Sequence, residues 1–210
     1  SPSPSSVAWS TKFLEIHNPG CSDVDLSAYG YPSCSNGCSS GTTYEYWQDF
    51  ADGATISAGG YYLICHGSAD DEIQAFCDET YSYLSNGDDV MTLVYGDESS
   101  FTVVDTIGGA WSSTAPGSSW TVCGDDSATQ DNTLVRTKCA NNGGVWSGEE
   151  DASTCTWDIY DQDEAWDMLN TFTCSCADCT SAPTPVPVPS SSPTLPPAVL
   201  SSSPTTATAA

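Results

Sequence analysis

Apolar residues recur along this chain in short alternating runs bounded by turns, and helical spacing is scarce. Residues 13–16 (FLEI) form one run that stops at the Asn18-Pro19-Gly20 turn. Ala58-Gly59-Gly60 turns into the run 61–65 (YYLIC), and Asn86-Gly87-Asp88-Asp89 turns into 90–95 (VMTLVY). Residues 96–100 then read as a five-residue loop leading into 101–107 (FTVVDTI), so that 90–107 is predicted to be a hairpin. Residues 119–123 (SWTVC) and 133–136 (TLVR) are two further short strands. Helical spacing is seen once, over 163–170, where Ala165, Trp166 and Leu169 share a face. Short strands separated by turns predict an all-β fold of the sandwich type.

Composition divides the chain into three parts. Residues 1–9 are Ser/Pro-rich, and residues 10–180 hold all the cysteines and aromatics apart from Trp9. Residues 181–210 have no charge, no aromatic side chain and no cysteine. Such a tail cannot bury enough apolar surface to fold alone, and its prolines favour extended polyproline II. It is expected to be a stalk carrying O-linked sugar. The expected attachment positions are Thr184, Pro185, Pro187, Pro189, Ser190, Ser191, Ser192, Pro193, Thr194, Pro196, Pro197, Ser201, Ser202, Ser203, Pro204 and Thr205. The proline positions enter because the Ser-Pro and Pro-Val-Pro-Val-Pro runs resemble, in composition, the hydroxyproline-rich glycoproteins of algae and plants. No Asn-x-Ser/Thr sequon occurs in the sequence. The chain does not begin with Met and is expected to be processed or excised from a longer one.

The order of motifs resembles the lamin-tail domain, an immunoglobulin-like β-sandwich, in the form found in secreted bacterial nucleases and surface proteins. The residues that carry the likeness are KFLEIHNPGCSDVDLSAYGY (12–31), DGATISAGGYYLI (52–64) and YLSNGDDVMTLVYGDESSFTVVDTIG (83–108). SATQDNTLVR (127–136) and WDIYDQDEAWDMLNTF (157–172) complete it. The resemblance implies a binding, adhesive or targeting module without catalytic residues. Members usually open with a strand ahead of the one matched by 13–16, and here that place holds only SPSPSSVAWST. Either Val7-Ala8-Trp9 closes the sheet edge locally, or the edge stays open to strand addition from another chain. Residues 195–200 (LPPAVL) are a candidate for that strand.

Charge and cysteines narrow the setting. Three basic residues, Lys12, Arg136 and Lys138, face 28 acidic ones, for a net charge of −25. Such a chain repels nucleic-acid phosphate and anionic membrane surfaces, so neither is an expected partner. No run approaches the roughly 18 apolar residues of a membrane span. The eleven cysteines are Cys21, Cys34, Cys38, Cys65, Cys77, Cys123, Cys139, Cys155, Cys174, Cys176 and Cys179. Their density predicts disulfides and an oxidising, extracellular or cell-surface location, with the connectivity open and one thiol left over. Cys174, Cys176 and Cys179 also match half a zinc site, but zinc requires reduced thiols, and disulfides are the expectation.

Catalytic chemistry finds little to work with. The two histidines, His17 and His66, sit in no hydrolase-type motif. Asp158, Asp161 and Asp163, in the densest acidic stretch, offer hard oxygen ligands for Ca²⁺ without EF-hand spacing. The expectation is a non-catalytic structural subunit of a secreted, O-glycosylated fibril, wall or coat. Its partners would be copies of itself and, secondarily, carbohydrate; beyond the Ca²⁺ candidates no cofactor is expected. The alternative is an accessory binding module of a larger secreted enzyme or surface protein.

Overall fold

The computed structural model describes residues 12–38, 44–84, 87–109, 116–137, 153, 155–162, 164 and 168–172. The Ser/Pro segment 1–9, residues 181–210 with the expected stalk and its glycan positions, Lys138, Asp163, Cys139, Cys174, Cys176 and Cys179 lie outside the described residues.

The fold is all-β. Its strands are β1 (Phe13–His17), β2 (Val24–Asp25), β3 (Tyr29–Gly30), β4 (Ser33–Cys34), β5 (Thr55–Ile56) and β6 (Tyr61–Cys65). After one turn of helix, α1 (Asp71–Gln74), come β7 (Glu79–Thr80), β8 (Val90–Asp97), β9 (Ser100–Ile107), β10 (Asn132–Arg136) and β11 (Trp157–Asp161). One sheet has the order β1-β6-β7, with β1 antiparallel and β7 parallel to β6. In a second sheet β9 takes one side of β8, and β3 and β4 pair in succession along the other. β2 pairs with β5, and β10 with β11.

The sequence of β6 explains its central place. Strand side chains alternate between faces, and YYLIC is apolar at every position. Tyr62 and Ile64 enter a core shared with Met91, Leu26, Tyr31 and Phe50, against which Leu14, Ile16 and Leu93 also pack. The two larger sheets therefore bury one common layer of side chains. Leu63 and Cys65, on the opposite face of β6, pack with Ala69 and Ile73 of the α1 segment. Burying each large aliphatic side chain contributes roughly 1.5–3 kcal/mol, and both faces of β6 are used. A third cluster joins Val122, Ala128 and Trp157 to Leu134 and Ile159 of the β10–β11 pair.

Four sequence expectations change. The hairpin loop is shorter than five residues. The β8–β9 ladder runs down to Asp97 opposite Ser100, because the Asp97 carboxylate accepts the N–H groups of Ser99 and Ser100 and closes the turn itself. Gly96 belongs to that ladder at φ +122, where an added Cβ would lie 2.8 Å from the Phe101 Cα. Residues 119–123 are not a strand. Val122 and Asp125 exchange backbone hydrogen bonds around Cys123 and Gly124, both at positive φ, which makes a tight turn. One helical turn lies at Asp71–Gln74, too short for a period to show, with Asp71 and Glu72 at its positive end and Ile73 buried. Finally, the acidic stretch after Trp157 is a strand. Of the expected helix over 163–170, Asp163 and residues 165–167 lie outside the described residues; the Thr171 N–H bonds the Met168 carbonyl in a turn.

Candidate binding surface

Three disulfides are defined among the described residues: Cys34–Cys38, Cys65–Cys77 and Cys123–Cys155. Cys21 is disulfide-bonded as well. None of the seven described cysteines is therefore the odd thiol expected from the count. Cys34–Cys38 closes a five-residue loop beside Val90 and Tyr44, Cys65–Cys77 ties α1 to β6, and Cys123–Cys155 anchors the β10–β11 pair.

The histidines serve local structure. The His66 Nδ1 accepts the Ser68 N–H. His17 packs against the rings of Tyr61 (5.0 Å) and Phe172 (5.4 Å). Burial there holds the imidazole pKa below its ordinary value.

The calcium candidates separate. Asp158 and Asp161 both fall on β11, three positions apart. An odd spacing along a strand sends side chains to opposite faces, so these two carboxylates do not converge on one ion; Asp163 lies outside the described residues. Among the described residues no group of three His, Cys, Asp or Glu side chains is arranged to hold a metal ion. Arg136 instead forms an ion pair with Asp105 on β9, and its guanidinium lies 4.1 Å from the Trp157 ring centroid. Burial shifts the Asp105 carboxyl upward, and Arg136 opposes that shift. This bracket fastens β10–β11 to the β8–β9 hairpin.

What the fold does assemble is a chain of aromatic rings that begins in the core and ends at the surface. Glu79 on β7 anchors the inner end. Its carboxylate accepts the hydroxyls of Tyr31 (2.7 Å) and Tyr62 (2.9 Å) and the Ala51 N–H (3.2 Å). Burial, followed by the Glu79 carboxylate, pushes the pKa of both phenols above the usual range. Tyr31 meets Phe50 (5.0 Å) and Tyr81 (5.6 Å) edge to face, and the Tyr81 hydroxyl lies 3.3 Å from the Ser33 Oγ. Tyr81 continues to Tyr83 (5.8 Å), and Tyr83 stacks on Tyr46 at 5.5 Å with ring planes 3° apart. Tyr46 is positioned by a two-way backbone bridge with Ser33.

Tyr83 is 63% exposed and Tyr46 39%. Two parallel tyrosines thus form a ledge in solvent, backed by buried rings. The sequence reading did not select these residues. Alternation shows which side chains leave the core, but the pairing of position 46 with position 83 depends on the bridge that docks Tyr46 on Ser33 of β4 and on the ring contact of Tyr81 with Tyr83. Elsewhere Tyr95 meets Tyr29, and Phe101 meets Tyr44 and Trp47. Among the described residues no helix is long and apolar enough to cross a membrane.

No family model, curated protein or solved structure matches this chain.

Proposed function

We propose that this chain is a non-catalytic structural subunit of a secreted extracellular assembly, a lamin-tail-like immunoglobulin-type head carried on an O-glycosylated Pro/Ser/Thr stalk. The observation that carries the reading is that every described cysteine is disulfide-bonded in a strongly acidic all-β domain. Thiols persist as disulfides in oxidising compartments, and the acidic surface keeps the domain soluble outside the cell. Both histidine rings are engaged in packing or turn hydrogen bonds, which fits a domain without an acid–base centre. Within the described residues β1 is the outer strand of its sheet, and exchange of a strand or tail between neighbours is part of this reading.

Intact mass and electron microscopy of native, non-reduced material test it. The expected mass exceeds that of the chain by a distribution of sugar units on residues 181–210, and the particles are regular fibrils or sheets. A bare-chain mass together with dispersed single particles would overturn it. The exposed Tyr46–Tyr83 ledge favours a second reading, an accessory module that binds a ligand as a monomer.

A further inference from the structure

The aromatic ledge and the last described residue lie toward opposite ends of the same strand. The last described residue, Phe172, is held at the start of β6, where the Tyr61 hydroxyl donates to its carbonyl (2.6 Å). The ledge lies past the other end of β6, because the Tyr81 N–H bonds the Cys65 carbonyl and Tyr83 follows two residues on. Five strand residues separate the two ends, roughly 13 Å at about 3.3 Å per residue.

Charge limits what can approach the ledge. The 31 charged residues, 28 of them acidic, all lie within residues 12–178, so a second head meets the first with like charge. Residues 181–210 carry no charge and hold eight of the chain's 13 prolines. Pro-x-Pro spacing favours polyproline II, which leaves its carbonyls without internal partners and loses little entropy on binding. Parallel aromatic faces edged with hydroxyl donors are the surface on which such helices dock.

We propose that the Tyr46–Tyr83 ledge is a docking site for the Pro-rich segment 183–197 of a second copy of this chain. Proline rings stack on the tyrosine faces, and the phenol hydroxyls donate to polyproline carbonyls. A segment of one copy on the ledge of the next is a heterologous contact, which repeats from copy to copy and builds a filament where the rotation does not close a ring. The inference rests on the assembly reading above and supplies its contact.

Sedimentation velocity of the full chain over a concentration series tests it, with Tyr83→Ala, Tyr83→Phe and an added synthetic peptide of residues 183–197. Tyr83 is mostly exposed, and an unchanged melting temperature shows that the variants are folded. The expected result is self-association weakened about tenfold or more in Tyr83→Ala, a smaller weakening in Tyr83→Phe, which keeps the ring and loses the hydroxyl donor, and inhibition of the wild type by the peptide. Association unchanged in Tyr83→Ala, or an inert peptide, would overturn the proposal. Association lost on removing the sugar while the peptide stays inert would assign the ledge to glycan and overturn it equally. A wild type that stays monomeric but binds labelled peptide through Tyr83 would uphold the docking site and overturn the assembly reading. Fibrils that form regardless of Tyr83 would do the reverse.

Discussion

Asn18 shows how much one side chain can hold. Its carboxamide nitrogen lies 2.9–3.2 Å from the carbonyls of Ser22, Ile56 and Ser57, and its oxygen accepts the Gly20 N–H. The sequence marks Asn18-Pro19-Gly20 as a turn; the tertiary fold makes the asparagine a buried hub joining that turn to β5. His17, next in the chain, makes stability depend on pH. Its folded pKa lies below the ordinary value near 6.5 because burial disfavours the imidazolium. The unfolded chain therefore takes up this proton first, and stability falls as pH drops through about 6.5 toward the lowered folded value. Glu15 and Asp105 shift upward through burial and act with the opposite sign at lower pH. His17→Phe keeps a ring against Tyr61 and Phe172 and removes the titration. The stability of the wild type relative to this variant should fall between about pH 7.5 and about pH 5.5. Urea melts at both values check this, and a difference that stays constant or grows would show that the ring does not titrate against the fold.

Among elements, the disulfides and the hairpin show what patterning can and cannot reveal. Alternation located β1, β6, β8, β9 and β10 to within about two residues at each end, since each has apolar side chains to bury. It missed β2 through β5 and β7, two-residue strands whose pairing depends on partners far along the chain. It also read WDIYD as an acidic cluster, although Trp157 and Ile159 pack inward in β11. Disulfide pairing was equally hidden in the sequence, because connectivity follows Cα proximity in the fold. The sequence separations are 4 for Cys34–Cys38, 12 for Cys65–Cys77 and 32 for Cys123–Cys155. If restriction of the unfolded chain dominates, replacing each pair by alanine costs about 2, 3 and 4 kcal/mol in that order. Equilibrium denaturation of the three double variants measures this, and equal losses or a reversed order would place the effect in native-state packing.

At the scale of the whole molecule, charge works against compactness. A net charge of −25 repels itself, and the repulsion between exposed carboxylates is screened by salt. Raising sodium chloride from about 0.05 M to about 0.5 M should therefore raise the melting temperature, followed by differential scanning calorimetry. A melting temperature that falls with salt would mean that favourable ion pairs such as Arg136–Asp105 outweigh the general repulsion. The same charge favours an uncharged partner, as the proposed docking of residues 183–197 on the aromatic ledge requires.

The sequence by itself determined the all-β class, the positions of the longer strands other than β11 and the use of the described cysteines as disulfides. Each follows from local alternation, turn chemistry or residue type. Only the tertiary structure decided which cysteines pair, that Asp158 and Asp161 face apart, and that Tyr46 and Tyr83 stack. These depend on positions distant in sequence brought together by a shared core, and no local pattern encodes that proximity.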